Sequence, residues 1–249
     1  MSHQTIYYLC ASIAVIITGL AKGGFAGVGA LAMPVMAIGI DPVGGAAILL
    51  PILIVQDIVS VWTFRHSFSR EIVLVMVPGM ALGVLLGYIY ASALSEKSVL
   101  GALGLISIVF GVHRLWIERG TAVVLPSNSP KWVGTLFGIA SGFTSQIAHA
   151  GAPPFQMWVL PRRLSRDVLV GTTAISFAMV NWIKVPAYAA LGQFTTHNLL
   201  ATATLLPLAV ASTFAGVALV RRIDPARFYT LIYILMVLLG TKLVIDAVR

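Results

Sequence analysis

Three clusters of polar residues lie inside apolar runs of this 249-residue chain, and each has groups that could hold an anion. The first is Lys22 within Gly19-Leu20-Ala21-Lys22-Gly23-Gly24-Phe25-Ala26-Gly27-Val28-Gly29, followed by Pro34. Glycine permits backbone conformations and close approaches that other residues do not. Amides freed at the start of the next helix would attract an anion, helped by the helix dipole. Lys22 adds a full positive charge, so Lys22, Gly23 and Gly24 are candidate substrate-binding residues. The competing reading is a glycine-lined packing surface, with Lys22 extending to the nearby interface.

The second cluster is Gly142-Phe143-Thr144-Ser145-Gln146-Ile147-Ala148-His149-Ala150-Gly151-Ala152-Pro153-Pro154. Thr144, Ser145 and Gln146 offer neutral donors, and His149 can be neutral or cationic near pH 7. Pro153 and Pro154 must interrupt or restart the helix, because proline lacks the amide donor. A lone histidine in an apolar stretch equally suits a structural, hydrogen-bonded role.

The third cluster is Asn181, Lys184 and Tyr188, whose spacings of three and seven share one helix face. Asp57, beside Gln56, aligns with Asn181 in the repeat described below. An unpaired charge at the bilayer centre costs about 2.5–3.5 kcal/mol even on lenient scales. Asp57 and Lys184 are therefore expected to face a polar interior and to be within reach of each other. Asp57 is the candidate coupling or counter-ion residue; a purely structural ion pair is the alternative. Thr172 and Thr173 are weaker candidates, since threonine in a helix often satisfies only its own backbone.

An enzyme reading would use Ser145 and His149, which are one turn apart. No Gly-x-Ser-x-Gly elbow is present and no third residue orients the histidine. Five scattered histidines and one cysteine, Cys10, make no metal motif, and no phosphate loop exists. No catalytic residue, metal or cofactor is expected.

The elements that position these clusters are membrane helices. With 59% hydrophobic residues, 10% charged residues and a mean hydropathy of +0.97, the chain is not a soluble globule. The net charge of +8 comes from short loops rather than a nucleic-acid surface, so no nucleic-acid partner is expected. Tyr7-Tyr8-Leu9-Cys10 lacks the small residues of a lipoprotein cleavage site, and no cleaved signal peptide is read. Runs long enough for about 30 Å of hydrocarbon are 43–64, 72–92, 98–117, 132–149, 167–191, 198–220 and 227–247, with shorter or interrupted ones at 5–20, 23–40 and 151–160. Asp41 before Pro42 and Asp224 before Pro225 read as helix caps. Trp62, Trp116 and Trp132 near run ends suit the interface.

The chain is also written twice. Pro78, Gly87 and Gly111 meet Pro207, Gly216 and Gly240 at an offset of 129; Asp57 meets Asn181 at 124, and the two glycine-rich runs meet near 122. Lysine and arginine concentrate at 65–70, 114–131, 161–166 and 221–227 and are nearly absent from the intervening loops. Placing the basic loops in the cytoplasm puts Asp41 outside and its mate Ser165 inside. The expected fold is an all-α integral membrane protein of two inverted-topology repeats, 1–122 and 123–249. Each would be a broken or re-entrant opening helix pair plus three transmembrane helices, 8–10 segments in total, with both termini outside. Duplicated halves with interrupted segments point to a secondary transporter working by alternating access around a midplane site.

Lys22-Gly23-Gly24-Phe25-Ala26-Gly27-Val28-Gly29 with Pro34 resembles the opening motif of the TauE/SafE sulfite exporter family, also called the toluene sulfonate uptake permease family. Ser141 to Pro154, Leu160-Pro161-Arg162, Gly171-Thr172-Thr173, Asn181-Trp182-Ile183-Lys184 and Tyr188-Ala189-Ala190-Leu191-Gly192 resemble it more closely still. The family's glycine run is longer than the one here, which Ala26 and Val28 interrupt. The resemblance implies a multi-pass inner-membrane transporter, read as an exporter, of sulfite, organosulfonates or related organic acids. An anion channel is the alternative. The expected partners are a small anion, a coupling proton or other ion and the bilayer; a homo-oligomer stays open.

Overall fold

The computed structural model describes residues 3–25, 28–91, 93–118, 129–219 and 225–248. It is all-helical, and seven helices among the described residues are long and apolar enough to cross a membrane. The first half runs α1 (His3–Lys22), a 3-10 turn (Val28–Leu31), α2 (Ala32–Met36), α3 (Pro42–Phe64), α4 (Arg70–Ala91) and α5 (Glu96–Glu118). The second runs α6 (Lys131–Ala148), α7 (Ala152–Val159), a 3-10 turn (Leu160–Arg162), α8 (Arg166–Ala190), α9 (Thr196–Leu219) and α10 (Pro225–Val248). The helices match in order, but the 3-10 turn precedes the short helix α2 in the first half and follows α7 in the second. The boundary between the halves, at 122, and the expected cap at Asp224 lie outside the described residues.

Local chemistry sets the helix ends. Asp41 caps α3 by accepting from the Gly44 amide at 2.7 Å, with Pro42 at the first helical position. Ser165 precedes α8 in the equivalent place but makes no side-chain cap bond. After α1 the chain turns at Gly23 and Gly24, and Gly24 has φ +131°, a conformation that suits glycine alone. It then runs back toward the start of α1, since Gly39 lies against the Ile6 carbonyl and Cys10. The α6–α7 pair does the same: Arg162 donates to the Ser129 carbonyl at 3.1 Å, and the Trp158 ring lies over Gly134. Each opening pair therefore begins and ends at one side.

The helices pack as α4 on α6, α1 on α9, α5 on α10 and α3 on α8, with α3 also touching α9 and α4 touching α8. Exchanging the halves turns this set of contacts into itself. Small residues let the backbones meet. Gly104 and Gly240 each face the other's carbonyl oxygen, and Gly111 faces the Tyr233 carbonyl. These two contacts are themselves exchanged by the 129-residue offset.

The mates α3 and α8 run antiparallel. The start of α8 lies against the end of α3, where Gly171 meets the Ser67 carbonyl and the Ser69 amide donates to Thr172 Oγ1 at 2.9 Å. That end also gathers Lys131, paired with Glu71 at 3.1 Å, together with Arg65, Arg70 and Arg162. Large apolar side chains such as Leu74, Leu85, Leu200 and Phe214 are exposed on the outer helix faces, as in a protein whose solvent there is lipid. Trp62, Trp116 and Trp132 are exposed too.

Candidate functional site

The two chain breaks and the middles of α3 and α8 meet in the interior. Lys22, the last residue of α1, forms an ion pair with Asp57 on α3. The other Asp57 oxygen accepts from Asn181 Nδ2 on α8 at 2.7 Å. Asp57 and Asn181, mates in the repeat, are thus in direct contact. Ser60, one turn beyond Asp57, donates to the Lys22 carbonyl at 2.6 Å and satisfies an acceptor that the end of α1 leaves free.

Lys184 does not pair with Asp57, as its sequence position suggests. It lies deeper, fully buried, and its Nζ sits 3.2 Å from both the Ser145 carbonyl and Oγ and 2.5 Å from His149 Nδ1. The other imidazole nitrogen, Nε2, is 2.8 Å from the Ala46 carbonyl. A carbonyl only accepts, so Nε2 carries the ring proton and Nδ1 accepts from Lys184. The three N–H bonds of an ammonium therefore have three protein acceptors.

His149 is the C-cap of α6 in the left-handed conformation, φ +48°. A non-glycine residue held there marks a constrained site. The break after it is stitched by Ser141 Oγ donating to the Gly151 carbonyl at 2.7 Å and by the Ala150 amide donating to the Thr144 carbonyl at 3.1 Å. α7 then opens with Pro153 and Pro154 as its second and third residues. Neither has an N–H, so this helix start carries the dipole with fewer amide donors than an ordinary helix start.

A cavity of about 90 Å³ lies against these groups, lined by Lys22, Asn181, Ser145 and His149 with Thr18, Ser60, Thr173 and Gln156. Apolar walls come from Met33, Leu49, Leu53, Val170 and Phe177. A water needs roughly 10–15 Å³ of such space, so a small oxyanion fits.

The remaining sequence candidates are placed differently. Gly23 does not line the cavity: a Cβ there would sit 2.5 Å from the Gly216 backbone, so this glycine serves α1–α9 packing. Gly24 forms the turn. Thr144 Oγ1 donates to the Ala140 carbonyl at 2.8 Å, within its own helix. Gln146 lines a second cavity of about 220 Å³ with Val43, Ala46, Tyr188 and Gln193. The Tyr188 hydroxyl donates to the Gln146 carbonyl at 2.8 Å, and its ring stacks on His149 at 6.0 Å. His149 and Tyr188 thus stand between the two cavities.

Sequence reasoning passed over Thr18, Ser60 and Gln156. The signal for Ser60 is its three-residue spacing from Asp57. For Gln156 it is a single amide inside the apolar turn after Pro154.

Ser145 and His149 do not form a nucleophile–base pair, because both imidazole nitrogens are engaged elsewhere. Among the described residues no cluster suits a metal ion. No curated protein and no solved structure matches the chain. The model of the sulfite exporter TauE/SafE family matches residues 11–243, nearly the whole chain, which therefore belongs to this family of multi-pass membrane transporters of sulfite and related anions.

Proposed function

We propose that the protein is a secondary transporter of the inner membrane, an exporter that moves sulfite or a small organosulfonate by alternating access of two inverted halves. The observation that carries this reading is the interior cavity, with Lys22 on its wall and Lys184 close behind it. Within the cluster Lys22 is matched by Asp57, while Lys184 has only neutral acceptors. A bound anion would supply the negative charge that Lys184 lacks among its protein partners.

Ser145, Asn181 and Lys22 would meet the anion's oxygens, and Lys184 would act through Ser145 and His149, which it holds in place. Asp57 would be the coupling residue: protonation would end its ion pair with Lys22 and weaken its bond from Asn181, so one proton would loosen the contacts of α1, α3 and α8 together. The partition formed by His149 and Tyr188 favours a carrier over a channel, since a conducting pore requires a continuous path.

Purified protein in liposomes tests this. Preloaded unlabelled sulfite or methanesulfonate should drive counterflow of the labelled compound, with saturation. Flux that never saturates and shows no counterflow would replace the carrier by a channel.

A further inference from the structure

The central cavity contains a polar group with no role in the interactions described so far. Gln156 sits in the middle of α7, two residues beyond the prolines that open it, and is only 2% exposed. Its side-chain amide makes no hydrogen bond to the protein, and Nε2 is enclosed without an acceptor. Yet the residue lines the cavity that also holds Lys22, Ser145 and Asn181. The neighbouring glutamines also leave an amide oxygen without a partner, but neither lines this cavity. Gln56 donates to the Val15 carbonyl at 3.3 Å and ties α3 to α1, while Gln146 belongs to the second cavity.

A buried amide without a partner is destabilising, because its desolvation is left unrepaid. Ser141 and Tyr188, which brace the same break, each have such a partner. The terminal amide torsion is broad and nearly two-fold, so the same group can turn its NH₂ toward the cavity without moving the helix. An oxyanion there would supply the missing acceptor. We propose that Gln156 is a substrate ligand, donating a hydrogen bond to an oxygen of the bound anion from the side of the cavity formed by α7. The proposal rests on the anion-site reading above and adds to it a residue from the returning arm of the second hairpin.

This role has an opposite signature from a structural one. Gln156→Met keeps length and approximate volume but removes the polar atoms. If the amide serves the anion, the ligand-free variant should melt at the same temperature as the parent protein or higher, because an unpaired polar group has left the interior. Its affinity for sulfite and methanesulfonate, read from ligand-induced thermal shift or direct titration, should fall about tenfold, the scale of one hydrogen bond to a charged acceptor. Gln156→Glu, of the same shape but able to carry negative charge, should bind more weakly still at neutral pH.

Unchanged affinity in Gln156→Met would overturn the proposal, whether or not the melting temperature moved. If the parent protein binds and Lys22→Gln weakens binding while Gln156→Met does not, the anion site stands and only the assignment of Gln156 falls. If neither probe binds the parent protein, both fall.

Discussion

Asp57 receives two partners from two helices, and each half of that arrangement predicts a different result. The Lys22 side chain is 13% exposed, on the cavity side, whereas Asp57 is 3% exposed. Removing the lysine therefore strands the better-buried charge. Lys22→Gln should destabilise the detergent-solubilised protein more than Asp57→Asn, within the roughly 3–5 kcal/mol typical of a broken buried pair. The double variant should recover much of the loss. A thermal-denaturation cycle measures this, and additive single effects would mean that the pair does not form.

The same cycle on Asp57 and Lys184 should show a smaller coupling, because His149 and Ser145, not Asp57, hold Lys184. Helix spacing located Asn181, Lys184 and Tyr188 on one face, and the repeat aligned Asp57 with Asn181. Neither could distinguish two lysines competing for one carboxylate. That choice depends on where α1 ends in space, which no periodicity within α3 or α8 encodes.

At the scale of elements, the breaks were legible and the uses of the glycines were only half so. Gly24, Gly151 and Pro153 lie at or beside the interruptions because their backbone chemistry requires it. Gly23 and Gly142 look alike in sequence, as members of glycine-rich runs, but both serve close helix contact. A methyl group on Gly142 would lie 1.9 Å from the Met80 carbonyl oxygen. Gly142→Ala should therefore push α6 off α4 and cost about 1–3 kcal/mol, as overpacking does.

Gly192→Ala provides the contrast. Its φ is +67° and no atom lies within 4 Å of an added Cβ, so only the left-handed backbone penalty, about 1–2 kcal/mol, remains. Substrate affinity should be unchanged there, far from the cavity. Melting temperatures of the two variants, with binding measured in parallel, check both statements. A Gly142→Ala protein as stable as its parent would mean that α4 and α6 are not in contact.

For the whole molecule, the decisive question is whether the halves alternate about the partition between the cavities. His149 faces the central cavity, while Ala46, Gln146 and Tyr188 line the other. Two bonds close the gap: His149 Nε2 to the Ala46 carbonyl at 2.8 Å and Tyr188 hydroxyl to the Gln146 carbonyl at 2.8 Å. Both tie a side chain to a backbone carbonyl on a different helix, so separation of α3, α6 and α8 must break them. Tyr188→Phe removes one while leaving the ring stacked on His149. A net hydrogen bond contributes about 0.5–1.5 kcal/mol, so the population open toward the Asp41 side should rise by up to about tenfold.

A reporter exists in Thr18, which lines the central cavity on α1. In a Cys10→Ala background, Thr18→Cys should react faster with a membrane-impermeant maleimide applied from the Asp41 side once Tyr188→Phe is added. Saturating methanesulfonate should slow that reaction by occupying the cavity. Cysteines at Asp41 and Thr195 should label from that same side and one at Arg163 from the other, which fixes the orientation independently. If Tyr188→Phe leaves the Thr18→Cys rate unchanged while Asp41 and Arg163 still report opposite sides, the orientation holds and the partition is not the gate.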